Sequence, residues 1–305
     1  MKVLLTGSTG QLGKTLIVVK PNNVELIKVS SADFNLLDYK SCEEFILSHK
    51  PDWVINAAAY TAVDKAESES ELAFEINTRS PEKLAKTLST YGGKMLYIST
   101  DFVFDGKKDK PYKFDHIHNP LSIYGKSKSI GEEKCLLIGN CYILRTSWVY
   151  SPFNKNFLIT ILNLNKKFAK DNQPLKIVHD QIGSPTNTFG LANVCWLLIN
   201  KINTATLNQK IFQWSDKGEV SWYEFARKIS LLGKEMGILI ENADILKINA
   251  SDFKADAIRP SYSVLDCRDT ENFLNVKQQD WEVELKKVMA KLKDGTFENI
   301  LNMSL

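Results

Sequence analysis

The stretch Lys2-Val3-Leu4-Leu5-Thr6-Gly7-Ser8-Thr9-Gly10-Gln11-Leu12-Gly13 decides the fold. Val3-Leu4-Leu5 is a short apolar run that reads as a buried strand. Gly7, Gly10 and Gly13 follow at once and a helix-like segment begins. Strand, tight turn and helix are the parts a pyrophosphate needs. Free amide donors and the positive end of the helix dipole coincide at a helix N-terminus. Glycines remove the Cβ atoms that would keep the ligand away, and one lets the helix pack close to its strand. The spacing is GxxGxxG rather than the GxGxxG of many dehydrogenases. Its place between the first strand and the first helix gives it its weight.

Outward from this turn, strand-like and helix-like stretches alternate. Strands are expected at 24–29, 53–56, 94–99 and 141–145, and helices at 41–49 and 69–90, with Pro81 marking a helix start or a kink. Such alternation means right-handed crossovers and a parallel sheet covered on both faces. The expected class is α/β, a doubly wound, Rossmann-like parallel sheet over residues 1–150, with a second, smaller mixed α/β domain over 151–305. Helices are expected there at 156–169, 188–202, 221–236 and 282–293. The segment of about 175–212 is a candidate to return to the first domain.

The composition excludes several classes. With 305 residues, 44% hydrophobic and 25% charged, the chain is an ordinary globular one. A net charge of +3 without a block of like charges argues against nucleic-acid or membrane-surface binding. No apolar run approaches the roughly 18 residues of a membrane span, and the N-terminus lacks the apolar region of a secretion signal. Cys42, Cys135, Cys141, Cys195 and Cys267 form no CxxC pair, and five is an odd count. A reducing, cytoplasmic setting is expected.

Tyr124-Gly125-Lys126-Ser127-Lys128 puts Tyr124 and Lys128 on one face if the segment is helical. A free tyrosine, with a pKa of about 10, moves protons poorly at neutral pH. A nearby ammonium would lower that value, and could also hold a ribose. Thr100, in Ser99-Thr100-Asp101, stands just past a strand and 24 residues before Tyr124. Its hydroxyl can bond the oxygen that receives the proton. YxxxK is common on solvated helices, and Ser and Thr often cap turns. The conjunction, in this order behind a glycine turn, points to a nicotinamide oxidoreductase. The second strand ends in Lys28-Val29-Ser30-Ser31 with no acid before Asp33. That favours NADPH, with NADH also open.

The chain resembles the extended short-chain dehydrogenase/reductases, and among them the dTDP-4-dehydrorhamnose reductases. The matching segments are TGSTGQLG (6–13), PDWVINAAAYTAVDKAES (51–68), STDFVFDG (99–106), NPLSIYGKSKSIGE (119–132), RTSWVY (145–150), DQIGSPT (180–186) and RPSYSVLD (259–266). The resemblance implies that Gly10, Gln11 and Leu12 line the pyrophosphate and that Ala59, Tyr60 and Thr61 run beside the cofactor. Ile98 approaches the nicotinamide, Tyr124 is the proton donor and Lys128 its partner. Thr100, Asp101 and Trp148 meet the sugar, and Arg259 faces the nucleotide diphosphate. Asn35, with Leu36 beside it, stands where members often carry Asp and can still bond adenine. Ser31 replaces an Arg of some relatives, and Tyr262 an Asn.

The implied reaction reduces the C4 carbonyl of dTDP-4-dehydro-β-L-rhamnose, a nucleotide-sugar substrate, and the implied assembly is a homodimer. An epimerase, a reductase of another 4-keto-6-deoxy sugar and a non-catalytic regulatory subunit of the same fold are the alternatives. Dehydration is disfavoured because Phe102 stands where a second carboxylate would be needed. His49, His116, His118 and His179 offer no third ligand beside the His116/His118 pair, so no metal site is expected.

Overall fold

A computed structural model describes residues 1–204 and 209–295. Five strands come from the first half: β1 (Lys2–Thr6), β2 (Glu25–Lys28), β3 (Trp53–Asn56), β4 (Lys94–Thr100) and β5 (Cys141–Thr146). The sixth, β6 (Ile211–Gln213), lies far along the chain. Their order is β2-β1-β3-β4-β5-β6, and every ladder is parallel. The order reverses between β1 and β3, and open parallel sheets bind ligands in the crevice at such a point.

Strict alternation along each strand fills both faces. Val3, Leu5, Trp53, Ile55 and Leu96 point to one side, where α1 (Gln11–Val18) contributes Leu16 and a helix at Thr188–Thr204 contributes Leu191, Leu198 and Ile199. Leu4, Val54, Met95 and Tyr97 point to the other. There they meet Ile46 of α2 (Tyr39–His49), Leu84 and Leu88 of α3 (Ser80–Ser89) and Cys135 of α4 (Ile123–Ile138). This two-faced burial explains why Trp53-Val54-Ile55-Asn56 reads as an unbroken run. The Thr188–Thr204 helix and β6 bring the chain back to the sheet after a separate lobe has begun. In that lobe, helices Phe157–Lys170, Trp222–Glu235 and Trp281–Asp294 enclose Leu158, Ile161, Phe225, Ile229 and Leu285. A parallel pair, Leu175–Val178 with Ile245–Ile248, flanks them.

The helix expected over 69–90 runs through Pro81 without breaking, because it changes type. Ser70–Phe74 is α-helical, Glu75–Arg79 forms a π turn, and α3 resumes at Ser80. Proline has no N–H for the carbonyl four residues back. Here that carbonyl, on Asn77, accepts instead from the Tyr97 hydroxyl at 2.6 Å. The Ser80 hydroxyl donates to the Glu75 carbonyl at 2.8 Å. π turns collect at functional sites, and this one presents Asn77 to the site described below.

The glycine turn has no room for side chains. Gly7 has φ +66°, and a Cβ there would lie 2.7 Å from the Ala58 nitrogen; one on Gly13 would run into the Gly7 carbonyl oxygen. Gly13→Ala should therefore destabilise the protein by at least the 1–3 kcal/mol or so typical of overpacking, read as a fall in Tm. An unchanged Tm would show that the turn is looser than described.

Candidate active site

The β1–α1 turn is fixed on both sides. The Ser8 hydroxyl donates to the Val29 carbonyl at 2.8 Å, and Thr6 donates to the Asn56 side-chain oxygen at 2.7 Å. Gly10 begins α1 with no side-chain cap. The first amides of α1 are thus left for a ligand. Gly7 and Gly10 are half-buried, while Leu12 and Gly13 are buried. The Gln11 side chain accepts from Ser151 at 2.8 Å, and Asn154 donates to the Thr9 carbonyl at 2.8 Å, so the 151–154 segment straps the turn.

At the end of β2, Asp33 folds back to accept from both the N–H (3.2 Å) and the hydroxyl (2.6 Å) of Ser30. These bonds hold its carboxyl below the usual range. A carboxylate therefore does lie at the strand end, although in the sequence it comes three residues late. Asn35 is exposed, and its side-chain oxygen accepts from the Leu37 N–H at 3.1 Å, leaving its amide group outward next to half-buried Leu36. Ala59 and Tyr60 line the loop after β3, with Thr61 exposed beyond them. Asn77 clamps this loop: it accepts from the Tyr60 N–H at 2.9 Å and donates to the Tyr60 carbonyl and the Ser127 hydroxyl, each at 3.0 Å. One buried amide thereby ties the loop beside the crevice to α4, which carries Tyr124 and Lys128.

Thr100 ends β4 directly beside Thr146 of β5. Its hydroxyl donates to Asp101 at 3.0 Å and accepts from the Phe102 N–H at 3.2 Å. Ser122 caps α4, and Tyr124 sits in the first turn with its ring edge-on to Phe102, whose N–H bonds the Thr100 hydroxyl. Lys128, one turn further, is 1% exposed. Its ammonium donates to the Ile98 carbonyl at 2.6 Å and lies 3.8 Å over the Tyr97 ring. The ammonium is therefore engaged with β4 and does not set the phenol's titration. Burial pushes Tyr124 up to about 12, Thr100 opposes this, and Asp101 adds to it. The phenol then keeps its proton at neutral pH, the form in which it can donate. Burial brings Lys128 down to about 7, against the pull of Glu132, and raises Asp101 to about 6.

Among the described residues, four buried polar atoms near this edge have no hydrogen-bond partner: Asn56 Nδ2, Ser99 Oγ, Asp101 Oδ2 and Thr146 Oγ1. Buried polar groups are almost always paired, so four orphans at the carboxyl ends of β3, β4 and β5 mark where a ligand belongs. Two residues past Thr146, Trp148 adopts φ +44°. That is strained for a bulky side chain, and such strain collects at functional sites. Its indole stacks on Trp222, with ring centres 3.4 Å apart and planes within 5°. Trp222 and Arg259 line a cavity of about 530 Å³ together with Phe157, Lys176, Gln181 and Phe253. Trp222 thus joins the wall of this cavity to Trp148, two residues past the end of β5.

Sequence reasoning missed two supports. Asn77 is one, and only the INTRSP stretch on a helix facing α4 hints at it. The other is the fully buried pair of Arg145 and Glu132, whose Nη2–Oε2 distance is 2.7 Å. It fastens α4 to β5 and also engages His118, which bonds Arg145 at 2.6 Å and Ser129 at 2.8 Å.

Fold and side-chain constellation are those of a Rossmann-type dehydrogenase/reductase. The family described as RmlD substrate binding domain matches residues 1–294. A dTDP-4-dehydrorhamnose reductase of Aggregatibacter actinomycetemcomitans is 35% identical over 95% of this chain and 98% of its own. A dTDP-4-dehydrorhamnose reductase structure from Clostridium acetobutylicum superposes with a TM-score of 0.87 at 36% identity, covering 96% of this chain and 100% of that one. The Bacillus anthracis enzyme of the same name, in complex with NADP, gives 0.84 at 31% identity, covering 95% and 99%. The chain belongs to the RmlD substrate-binding-domain family.

The buried ammonium sets up a test. Folding lowers the Lys128 pKa, so the penalty for burying charge is complete below about 7 and fades as pH rises toward the unfolded value of 10.5. Lys128→Met should raise Tm most near pH 6, with the gain shrinking toward pH 10. A lower Tm at pH 6 would contradict the burial argument.

Proposed function

We propose that this protein reduces dTDP-4-dehydro-β-L-rhamnose to dTDP-L-rhamnose with NADPH, and accepts NADH as well. The cradle fits a dinucleotide: the helix start is uncapped, Gly7 and Gly13 exclude side chains, and Asn56 Nδ2 lacks a partner among the described residues. Gly7, Gly10 and the amides of Gln11, Leu12 and Gly13 would hold the pyrophosphate. Asn35 and Leu36 would meet the adenine, and Ala59, Tyr60, Thr61 and Ile98 the remainder. The bound nicotinamide would supply the hydride. Asp33 on Ser30 is an acceptor of the kind a ribose diol uses, which supports the use of NADH.

Thr100 would orient the carbonyl of the sugar and Tyr124 would give its proton to the oxygen as it becomes an alkoxide. The phenol is kept loaded by burial, so the donor is ready before reduction begins. Lys128 would hold the nicotinamide ribose. Asp101 and Trp148 would contact the sugar, and Arg259 the diphosphate. Phe102 packs edge-on against Tyr124, so the second acid needed to remove water is lacking. The observation that carries this reading is that Phe102, whose N–H bonds the Thr100 hydroxyl, packs its ring on Tyr124, which sets Thr100 and Tyr124 together at the sheet's carboxyl edge near orphaned polar atoms. The second lobe would be the sugar-nucleotide domain. Five free, buried cysteines support a reducing, cytoplasmic setting, and a homodimer rests on the family resemblance alone.

The test is oxidation of NADPH and of NADH, followed by absorbance, with dTDP-4-keto-6-deoxy-L-mannose as substrate. Tyr124→Phe should lower kcat by about 10²–10⁴-fold and leave dinucleotide binding nearly intact. Full activity in that variant would remove Tyr124 from the donor role.

A further inference from the structure

Asp64 follows the loop after β3, and Arg259 lies on the wall of the 530 Å³ cavity. The two meet end-on. Nη1 donates to Oδ1 at 3.0 Å and Nη2 to Oδ2 at 2.6 Å. Nη1 also donates to the Ala257 carbonyl at 3.2 Å. A guanidinium has five N–H donors, and these contacts use three. The remaining two, Nε–H and the second Nη2–H, lie along one edge of the group and have no acceptor among the described residues.

The pair does little for stability. Its side chains are 22% and 42% exposed, and ion pairs so placed are worth about 0–1 kcal/mol. The backbone around Arg259 also has a second anchor, since Ser261 donates to the Gly106 carbonyl at 2.9 Å and packs where Gly106 has no Cβ. The carboxylate also accepts from the Ala257 N–H at 3.2 Å, and it determines which way the planar guanidinium faces. A two-point grip fixes its rotation, and the open edge has the geometry that pairs with two phosphate oxygens.

We propose that Asp64 is a positioning residue: by gripping the end of Arg259 it turns the guanidinium's free Nε–Nη2 edge toward the diphosphate of the nucleotide sugar. This rests on the reading of Arg259 given under the proposed function. Asp64 belongs to the first half of the chain and Arg259 to the second, so the grip also holds the diphosphate at a set distance from the catalytic edge.

Calorimetric titration of the full-length protein with dTDP and with thymidine tests it. Asp64→Asn should weaken dTDP about tenfold, leave thymidine unchanged, and raise KM for the sugar nucleotide by a similar factor with a far smaller change in kcat. Asp64→Glu, which keeps the charge, should recover part of the dTDP affinity. Tighter dTDP binding by Asp64→Asn would make Asp64 a competitor of the phosphate, and equal weakening of dTDP and thymidine would make it a general structural support. Either result overturns the proposal, as does no change at all. Arg259→Met serves as the separate control. If it leaves dTDP affinity unchanged, the assignment of Arg259 to the diphosphate fails, whatever Asp64 does.

Discussion

A parallel sheet ends all its strands on the same edge, and the site depends on that constraint. β1, β3, β4 and β5 run parallel, so Thr6 pairs with Asn56 and Thr100 with Thr146, and Gly7 follows Thr6 off the same edge of the sheet. The turn after β1 can close on the loop after β3 only because Gly7 has no side chain. Tyr124 and Lys128 are then supplied by one helix, α4, beside Thr100 at the end of β4.

Holding α4 in place requires buried polar groups. Arg145 and Glu132 join it to β5, and Asn77 joins it to the loop after β3. A buried ion pair is a poor source of net stability, but losing one partner strands the other charge. The same helix buries the Lys128 ammonium and the Tyr124 phenol at a cost in the charged form of each. The site is thus assembled against local preference, and the surrounding apolar core on both faces of the sheet supplies the excess that permits it.

The doubly wound class was legible because burial on both faces leaves continuous apolar strands, and the glycine turn because its spacing has a steric cause. Thr100, Tyr124 and Lys128 were legible as residue types in order. Their contacts were not. The i,i+4 rule places Lys128 on the same helix face as Tyr124 but says nothing of the Ile98 carbonyl, which captures the ammonium from another strand. Likewise Asp33 looks remote from β2 in sequence, yet a three-residue turn returns its carboxylate to Ser30. Pro81 suggested a start or a kink, and the π turn that absorbs it depends on Tyr97, a partner 16 residues away. For Lys128 and Pro81 the deciding partner lies on a different element, and for Asp33 it lies across a turn; periodicity carries no information about either.

A crystal structure of the full-length protein with NADP+ and dTDP bound tests the convergence most directly. The account places the nicotinamide beside Ile98, with its reactive carbon and the Tyr124 hydroxyl each about 3–3.5 Å from a shared position for the sugar carbonyl. A nicotinamide bound away from β4, with the phenol still against Thr100 and no path between them, would contradict it.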